Sequence, residues 1–176
     1  MAQYFNISGE LTQQLLAPGD NINVSKISLT NTQKVSNCKV DLYIEKARKG
    51  KFYLVKGVEL PVGATFIYDD TKFSNAAGEF GLFIKLTDGD TFAITITANG
   101  GTEGIDPAAS TTVTGVGTSF LSDLSIGDEI VVSGETRTVS AIASDTSLTV
   151  TSAFSNNSND ATPDCNPTAL VDVIIN

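Results

Sequence analysis

Residues 111–154 constrain the fold most, because they carry the complete pattern of a small β-domain within a longer chain. Ile130 and Val132 lie on one face of a predicted strand, residues 133–136 supply a tight turn, and a β-branched run continues through residues 138–142. This pattern predicts a β-hairpin.

The rest of the segment predicts a meander with one helical turn. A second turn at residues 144–146 leads into residues 148–151, where apolar and polar positions alternate as in a half-buried strand. Phe120, Leu121 and Leu124 are spaced three and four residues apart behind a Thr or Ser cap, which predicts a helical turn plugging one end of a small β-barrel. A module of about 45 residues buries little core, so attachment at both ends would stabilise it.

The part of the chain before residue 98 predicts a larger all-β domain. Short strands alternate with Gly, Pro, Asn and Asp, and no window shows sustained helical periodicity. Strands that follow one another without intervening helices favour an antiparallel β-sandwich. Asp88-Gly89-Asp90 predicts a hairpin between the last two of them. The predicted strands cover residues 22–30, 38–46, 51–55, 64–68, 80–86 and 91–97.

Residues 168–176 predict one more strand, with apolar side chains on both faces. Val171, Val173 and Ile175 share one face, and Leu170 and Ile174 share the other. A strand that is apolar on both faces belongs inside a sheet. We therefore expect it to pair within the larger sandwich.

This placement predicts a domain inserted before the last strand. Residues 1–101 and 166–176 would form the sandwich, and residues 102–165 would form the small β-barrel. The Gly-rich residues 98–109 and the Asn-, Ser- and Pro-rich residues 155–167 would be its two flexible stalks. The alternative is a tandem arrangement in which the terminal strand completes the barrel.

The net charge of −9 is unevenly distributed along the chain. Residues 102–165 hold nine acidic residues against Arg137 alone, a charge of −8, whereas the remaining residues hold eleven acidic and ten basic residues, a charge of −1. The acidic part would be repelled by nucleic acid and by anionic membranes, so we predict neither as a partner. It suits a domain that faces solvent, although an acidic surface that merely maintains solubility is the alternative.

Catalytic chemistry is poorly supported. The chain has no histidine, which excludes Ser-His-Asp and Cys-His catalysis and histidine metal ligands. Paired carboxylates could support glycosidase chemistry, but neighbouring residues on a strand point to opposite faces and an Asp-Gly-Asp motif suits a turn. We therefore predict no enzyme activity and no cofactor. The pairs considered are Asp69 with Asp70, Asp88 with Asp90, and Asp128 with Glu129.

Two further motifs could bind small ligands but lack the required spacing. Residues 155–160, Ser-Asn-Asn-Ser-Asn-Asp, offer oxygen atoms for a calcium ion, yet they fit no EF-hand and lack its closing glutamate. We interpret them as a flexible stalk and predict no metal site. Gly115 and Gly117 do not form a phosphate loop, because no Gly-Lys-Ser or Gly-Lys-Thr follows them.

Two cysteines, Cys38 and Cys165, are too few for a disulfide scaffold or a metal site. Cys38 begins a predicted strand and Cys165 lies where the chain re-enters the larger domain, so a bridge between them is conceivable. A cytoplasmic product normally keeps its thiols reduced, which favours two separate cysteines.

A basic cluster formed by Lys46, Arg48, Lys49 and Lys51 crosses a turn at Gly50. It is the part of the sequence best suited to contact an acidic surface, and we treat it as the candidate contact site for a partner protein. Lysines on turns and exposed edges also promote solubility and protect strand edges, which is the alternative interpretation.

The sequence shows no targeting or membrane segment. No apolar run approaches the roughly 20 residues that span a bilayer, and residues 1–16 lack the basic end and apolar block of a secretory signal. Synthesis in the cytoplasm is the expectation.

Four motifs resemble a small β-barrel module that recurs in structural proteins of tailed bacteriophages. They are Gly115-Val116-Gly117-Thr118-Ser119-Phe120, Leu124-Ser125-Ile126-Gly127-Asp128-Glu129-Ile130, Arg137-Thr138-Val139 and Ser144-Asp145-Thr146-Ser147-Leu148. The first part of the chain resembles, more loosely, the β-sandwich body of small phage structural proteins.

The resemblance implies a non-enzymatic structural protein of the virion, assembled in the host cytoplasm. The module occurs in decoration, tail and fibre proteins alike, so it indicates a virion protein more firmly than any one position on the virion. Our prediction is a capsid decoration or cement protein, with Lys46, Arg48, Lys49 and Lys51 as its possible capsid contact. Such a protein would be a homo-oligomer on the virion, with the major capsid protein or other virion proteins as partners. A tail, neck or fibre-base component is one alternative. A host-surface or glycan-binding adhesin is another, although the absence of tryptophan and the presence of only four tyrosines make it the poorer fit.

Overall fold

A computed structural model describes residues 2–69, 72–76, 78–98 and 100–176. Within these ranges the protein is all-β with one short helix, which confirms the predicted fold class. The chain divides into two compact units: unit 1 comprises Met1–Asp88 and Ala169–Asn176, and unit 2 comprises Gly89–Thr168. That unit 2 folds independently as an inserted domain remains a prediction.

Unit 1 begins with β1 (Gln3–Ser8), β2 (Thr12–Leu16), β3 (Asn23–Val24), β4 (Ile27–Asn31), β5 (Cys38–Lys46), β6 (Gly50–Leu60), β7 (Thr65–Tyr68), β8 (Phe73–Ser74) and β9 (Phe80–Thr87). Unit 2 contains β10 (Phe92–Ala93), β11 (Gly104–Asp106), β12 (Thr112–Val116), α1 (Phe120–Asp123), β13 (Glu129–Val132), β14 (Glu135–Ser144), β15 (Ser147–Val150) and β16 (Asp164–Asn166). The last strand, β17 (Leu170–Ile175), belongs to unit 1 again.

Unit 1 is an antiparallel β-sandwich. One sheet has the strand order β1-β17-β4-β7 and the other has the order β2-β9-β5-β6, while β3 and β8 form a separate two-stranded sheet. Alternate side chains of both sheets enter one shared core, as the period of two along a strand requires. Leu29, Val171 and Val173 from the first sheet are buried there with Leu42 and Ile84 from the second.

Strand β17 lies in the middle of its sheet, as its sequence predicted. It pairs antiparallel with β1 on one side and with β4 on the other. Val171, Val173 and Ile175 are buried, whereas Ile174 on the opposite face is 37% exposed. The strand therefore lies inside the sheet, as expected, and is buried on one face only.

The hairpin predicted at Asp88-Gly89-Asp90 is not formed. β9 pairs with β2 and β5, whereas β10 pairs with β16. The Asp88 carboxylate instead accepts a hydrogen bond from the Ala169 N–H at 2.7 Å, next to the point where the chain returns to unit 1. The Asp-Gly-Asp motif favours a local turn, but the strand partners are determined by hydrogen bonding between segments that are distant in the sequence.

Unit 2 is built on one sheet with the strand order β10-β16-β13-β14-β15-β12-β11. Its two end strands do not pair with each other in the described part of the chain, so these strands form no closed barrel, although an isolated antiparallel bridge joins Ile105 of β11 to Asp160. β10, β11 and β16 extend the predicted meander at both ends. β11 and β16 lie in the segments that were expected to be stalks.

The two turns predicted within the meander are confirmed. Val132 pairs with Glu135 across the first turn, and Ser144 pairs with Ser147 across the second. The first turn places Ser133 at φ 49° and Gly134 at φ 80°. Two consecutive left-handed residues match the twist of an antiparallel hairpin.

Helix α1 is the predicted helical turn, and its capping differs from the expectation. Phe120 and the adjacent Leu124 are fully buried, but the Ser119 side chain makes no capping bond. The Asp145 carboxylate, in the turn between β14 and β15, accepts the Leu121 N–H at 3.0 Å instead. α1 spans four residues, and no helix in the described ranges is long and apolar enough to cross a membrane.

The glycines of the motif at residues 115–120 are explained by close packing. A Cβ atom on Gly115 would lie 2.3 Å from Thr118 Oγ1 and 2.8 Å from Phe120 Cζ. A Cβ atom on Gly117, at φ 72°, would lie 2.3 Å from the Thr97 carbonyl oxygen. No side chain fits at either position without moving these neighbours.

Candidate functional site

The β5–β6 hairpin brings the four predicted contact residues Lys46, Arg48, Lys49 and Lys51 to one turn, here named the basic turn. Lys46 pairs with Gly50 at the end of the hairpin, and the Lys49 N–H donates to the Lys46 carbonyl at 3.0 Å. Arg48 at φ 63° and Gly50 at φ 91° adopt left-handed conformations that allow the chain to reverse.

Two of the four cations already make contacts within unit 1. Lys46 Nζ lies 3.5 Å from Glu79 Oε2 and 5.8 Å from the centre of the Phe80 ring. Lys51 Nζ donates to Tyr43 Oη at 3.1 Å and lies 4.5 Å from the centre of that ring. The hydrogen bond to Tyr43 raises the pKa of Lys51, so its ammonium group stays charged at neutral pH.

Arg48 and Lys49 at the tip of the basic turn are exposed. They are therefore the members of the cluster best placed to meet another molecule. An exposed ion pair contributes only about 0–1 kcal/mol, so one such turn could hold a partner weakly at most.

An aromatic cluster lies on the outer face of the β2-β9-β5-β6 sheet. Tyr43 stacks on Phe83 with ring centres 5.6 Å apart and lies 5.4 Å from Tyr53. Lys51 approaches the Tyr43 ring, and Lys56 Nζ lies 4.8 Å from the centre of the Tyr53 ring. Tyr43 is only 2% exposed, whereas Tyr53 is 43% exposed, so the ring of Tyr53, approached by Lys56, is the more accessible of these two tyrosines for the stacking that glycan binding uses.

The net charge of the chain resides entirely in unit 2. Unit 1 contains ten acidic and ten basic residues, giving a formal charge of 0, and unit 2 contains ten acidic residues against Arg137, giving −9. Arg137 itself lies 2.6 Å from Glu135 Oε2. The imbalance is sharper than the sequence boundaries indicated, because Asp90 belongs to unit 2.

The carboxylates considered for catalysis have structural hydrogen bonds or lie apart. Asp128 is fully buried and accepts the N–H groups of Ser125 at 2.7 Å and Thr168 at 2.9 Å, while its neighbour Glu129 is exposed. The pair therefore does not face one substrate. Asp128 therefore connects the segment before β13 with the segment after β16 through hydrogen bonds. The sequence around Asp128 did not indicate this role.

The pair Asp88 and Asp90 gives no shared site either, because Asp88 is bonded to Ala169 and Asp90 is exposed. Of the third pair, Asp70 lies outside the described residues.

Residues 155–160 are held to the sheet by carboxylates. Glu135 accepts the N–H groups of Ser155 and Asn156 at 2.7–3.1 Å, and these bonds lower the pKa of Glu135. Asp160 accepts the N–H groups of Ser133 and Thr162. Of the oxygen atoms considered as calcium ligands, those of the Asp160 carboxylate, Asn156 Oδ1 and the Ser158 carbonyl accept hydrogen bonds within unit 2. No cluster of three or more metal-binding side chains occurs among the described residues.

Both cysteines are free and buried, one in each unit. Burial, assisted by Asp88, raises the pKa of Cys38 to about 11. Burial also raises the pKa of Cys165, with contributions from Asp128 and Asp123. Both groups therefore remain thiols at neutral pH and react slowly.

Comparisons with known proteins show only distant likeness. No protein-family model matches the sequence, and no curated protein matches it. A structure of infectious bursal disease virus, Gx strain, is 12% identical with a TM-score of 0.29, and the T13 IBDV viral particle is 8% identical with a TM-score of 0.25. Both cover 99% of this chain, which spans 40% and 38% of those chains. At these TM-scores the likeness carries no argument about function.

Proposed function

We propose that this chain is a non-enzymatic structural protein of a tailed-phage virion, acting as a capsid decoration or cement protein. The division of charge between two compact units carries this proposal: unit 1 has a formal charge of 0 and unit 2 has −9. The motifs that resemble the phage module lie in the acidic unit.

In this proposal unit 1 attaches to the shell and unit 2 faces solvent. A strongly acidic domain stays soluble and is repelled by nucleic acid, which suits the outside of a particle filled with DNA. A near-neutral sandwich can approach other virion proteins without a large electrostatic cost.

Attachment would depend on many weak contacts. Each copy would contribute modest strand, apolar and ionic contacts to neighbouring capsid subunits, and simultaneous engagement would raise the overall affinity. Within each copy, Arg48 and Lys49 of the basic turn are the exposed cations available to an acidic patch on the shell.

Binding to phage particles stripped of this protein tests the contact. We expect the full chain to bind, and the double variant Arg48→Ser, Lys49→Ser to bind about fivefold more weakly, the effect of losing about 1 kcal/mol of exposed ion pairing. The variant Lys39→Ser, Lys85→Ser is the matched control, because it removes two exposed lysines elsewhere in unit 1. Equal weakening in both variants would argue against a specific role of the basic turn.

The copy number in purified particles separates decoration from the tail or neck alternative. A decoration protein should approach the copy number of the major capsid protein, because it follows the capsid lattice. A copy number matching a single symmetric ring would place the protein at the neck or tail and would contradict the decoration role.

A further inference from the structure

Strand β1 is an open edge of the β1-β17-β4-β7 sheet. It pairs with β17 from Gln3 opposite Ile175 to Ser8 opposite Leu170, and within the described residues no strand pairs with its other side. In an antiparallel edge strand, alternate residues direct their N–H and C=O groups away from the sheet. β1 therefore presents unpaired backbone groups that another strand could extend.

The usual features that protect a sheet edge are missing from β1. Its sequence, QYFNIS, contains no charged residue, proline or glycine, and its register with β17 is continuous. The edge strand β6 of the other sheet differs, because it carries Lys51, Lys56 and Glu59 and shifts register against β5. Natural edges are protected by such charges and irregularities, or by being very short. The uncharged edge strand β2 shifts register against β9, and β7, at the other edge of the same sheet, spans only four residues. β1, with six residues in continuous register, is therefore the longest regular edge of the two sandwich sheets.

The outer face beside β1 is also unusually apolar. Tyr4, Ile174, Ser28 and Ile67 form one row across the four strands, and Tyr4 is 71%, Ile174 37% and Ile67 48% exposed. The whole sheet contains one charged residue, Asp172. A surface of this kind is more typical of an interface than of a solvated face.

We propose that β1 pairs antiparallel with β1 of a second copy of this chain, about a two-fold axis at Asn6. This register places Phe5 opposite Ile7 of the partner subunit, both on the core side, and Tyr4 opposite Ser8 of the partner subunit on the outer side. A two-fold axis at Phe5 would instead place the polar Gln3 opposite Ile7 of the partner subunit. A register shifted by one residue would place core-side residues of one strand opposite outer-side residues of the other.

A second copy fits this edge because the strand is complementary to itself. β1 carries no charge and unit 1 has a formal charge of 0, so two copies can meet there without opposing like charges. A two-fold axis through an antiparallel strand pair gives both subunits the same contacts, which is the commonest form of closed dimer. The pairing goes beyond the virion role and does not depend on it.

Cysteine cross-linking tests the register directly. On the two-fold axis Asn6 faces its own copy with Cα atoms about 4.5–5.5 Å apart, within reach of a disulfide. We expect Asn6→Cys to form a covalent dimer under mild oxidation. Thr65→Cys is the matched control, because Thr65 lies in the same row as Asn6 at the opposite edge of the sheet. Cross-linking by Thr65→Cys with none by Asn6→Cys would overturn the proposal.

Sedimentation velocity of the full chain gives an independent readout. We expect the wild type to sediment with twice the mass of one chain and Asn6→Lys to be a monomer, because it places two like charges opposite each other. Thr65→Lys should remain a dimer. Asn6 is exposed and bonds Asp172, so a lysine there should leave the fold intact, which circular dichroism would verify. A monomeric wild type, or a dimer that Asn6→Lys leaves intact, would overturn the proposal without affecting the proposed virion role.

Discussion

At Gly115 the absence of a single methyl group allows α1 to pack on the unit 2 core. Thr118 and Phe120 both approach the position that a Cβ atom would occupy. The sequence showed this glycine as part of a recurring motif, but its physical reason is a contact across the turn before the helix. Motifs of this kind report close packing as often as they report ligand binding.

The substitution Gly115→Ala should destabilise unit 2 by about 1–3 kcal/mol, because the new methyl group overpacks a closed site. Val116→Ala is the control: its side chain is 42% exposed, so we expect a change within about 0.5 kcal/mol. Urea denaturation followed by circular dichroism measures both. Equal losses in the two variants would show that the strand, and not the contact with Phe120, determines the effect.

At the scale of the element, β17 shows how pairing and burial differ along one strand. Its central position in the sheet makes it a partner of both β1 and β4, although it is separated from each by most of the chain. Val173 points into the core and is 1% exposed, whereas Ile174 points outward. Adjacent residues of the same strand therefore experience opposite environments.

Val173→Asp should cost on the order of 3–5 kcal/mol, because it leaves an unpaired charge in the core. Ile174→Asp introduces the same side chain on the outer face and should cost about 1 kcal/mol or less. Thermal and urea denaturation of the two variants provide the comparison. Similar stabilities would mean that the C-terminal strand is not anchored in the core.

At the scale of the whole molecule, unit 1 is assembled from two separate segments of the chain. Asp88 and Ala169, which flank unit 2 in the sequence, are joined by a hydrogen bond of 2.7 Å within unit 1. The two ends that any linker must join are therefore adjacent. Such closeness is what permits the insertion or removal of a domain.

Replacing residues 89–168 with a short Gly-Ser linker should therefore leave a folded unit 1. Circular dichroism and a cooperative melting transition would show this. Truncation after Asp88 is the control, because it removes β17 from the middle of its sheet and should prevent folding. A folded truncation together with an unfolded linker variant would contradict the insertion.

The strand pattern predicted several elements closely and missed others. β5 has the predicted bounds, and both turns of the unit 2 meander occur where they were expected. β1 and β2 were not predicted, because their mixtures of polar and apolar residues give a weak signal without their partners. The basic turn was correctly located as a group, but only the structure separates Arg48 and Lys49 from the other two lysines. Lys46 contacts Glu79 and Phe80 in a distant segment, and Lys51 contacts Tyr43 across the hairpin.

The sequence by itself determined the fold class, the charge imbalance and the faces of the better strands, because these depend on composition and on the local period of two. Tertiary structure alone decided which strands pair and where unit 2 begins and ends. Those outcomes depend on hydrogen bonds and packing between residues far apart in the chain, such as Asp88 with Ala169 and Asp128 with Thr168. No local pattern encodes them, because each group has many possible partners until the whole chain has folded.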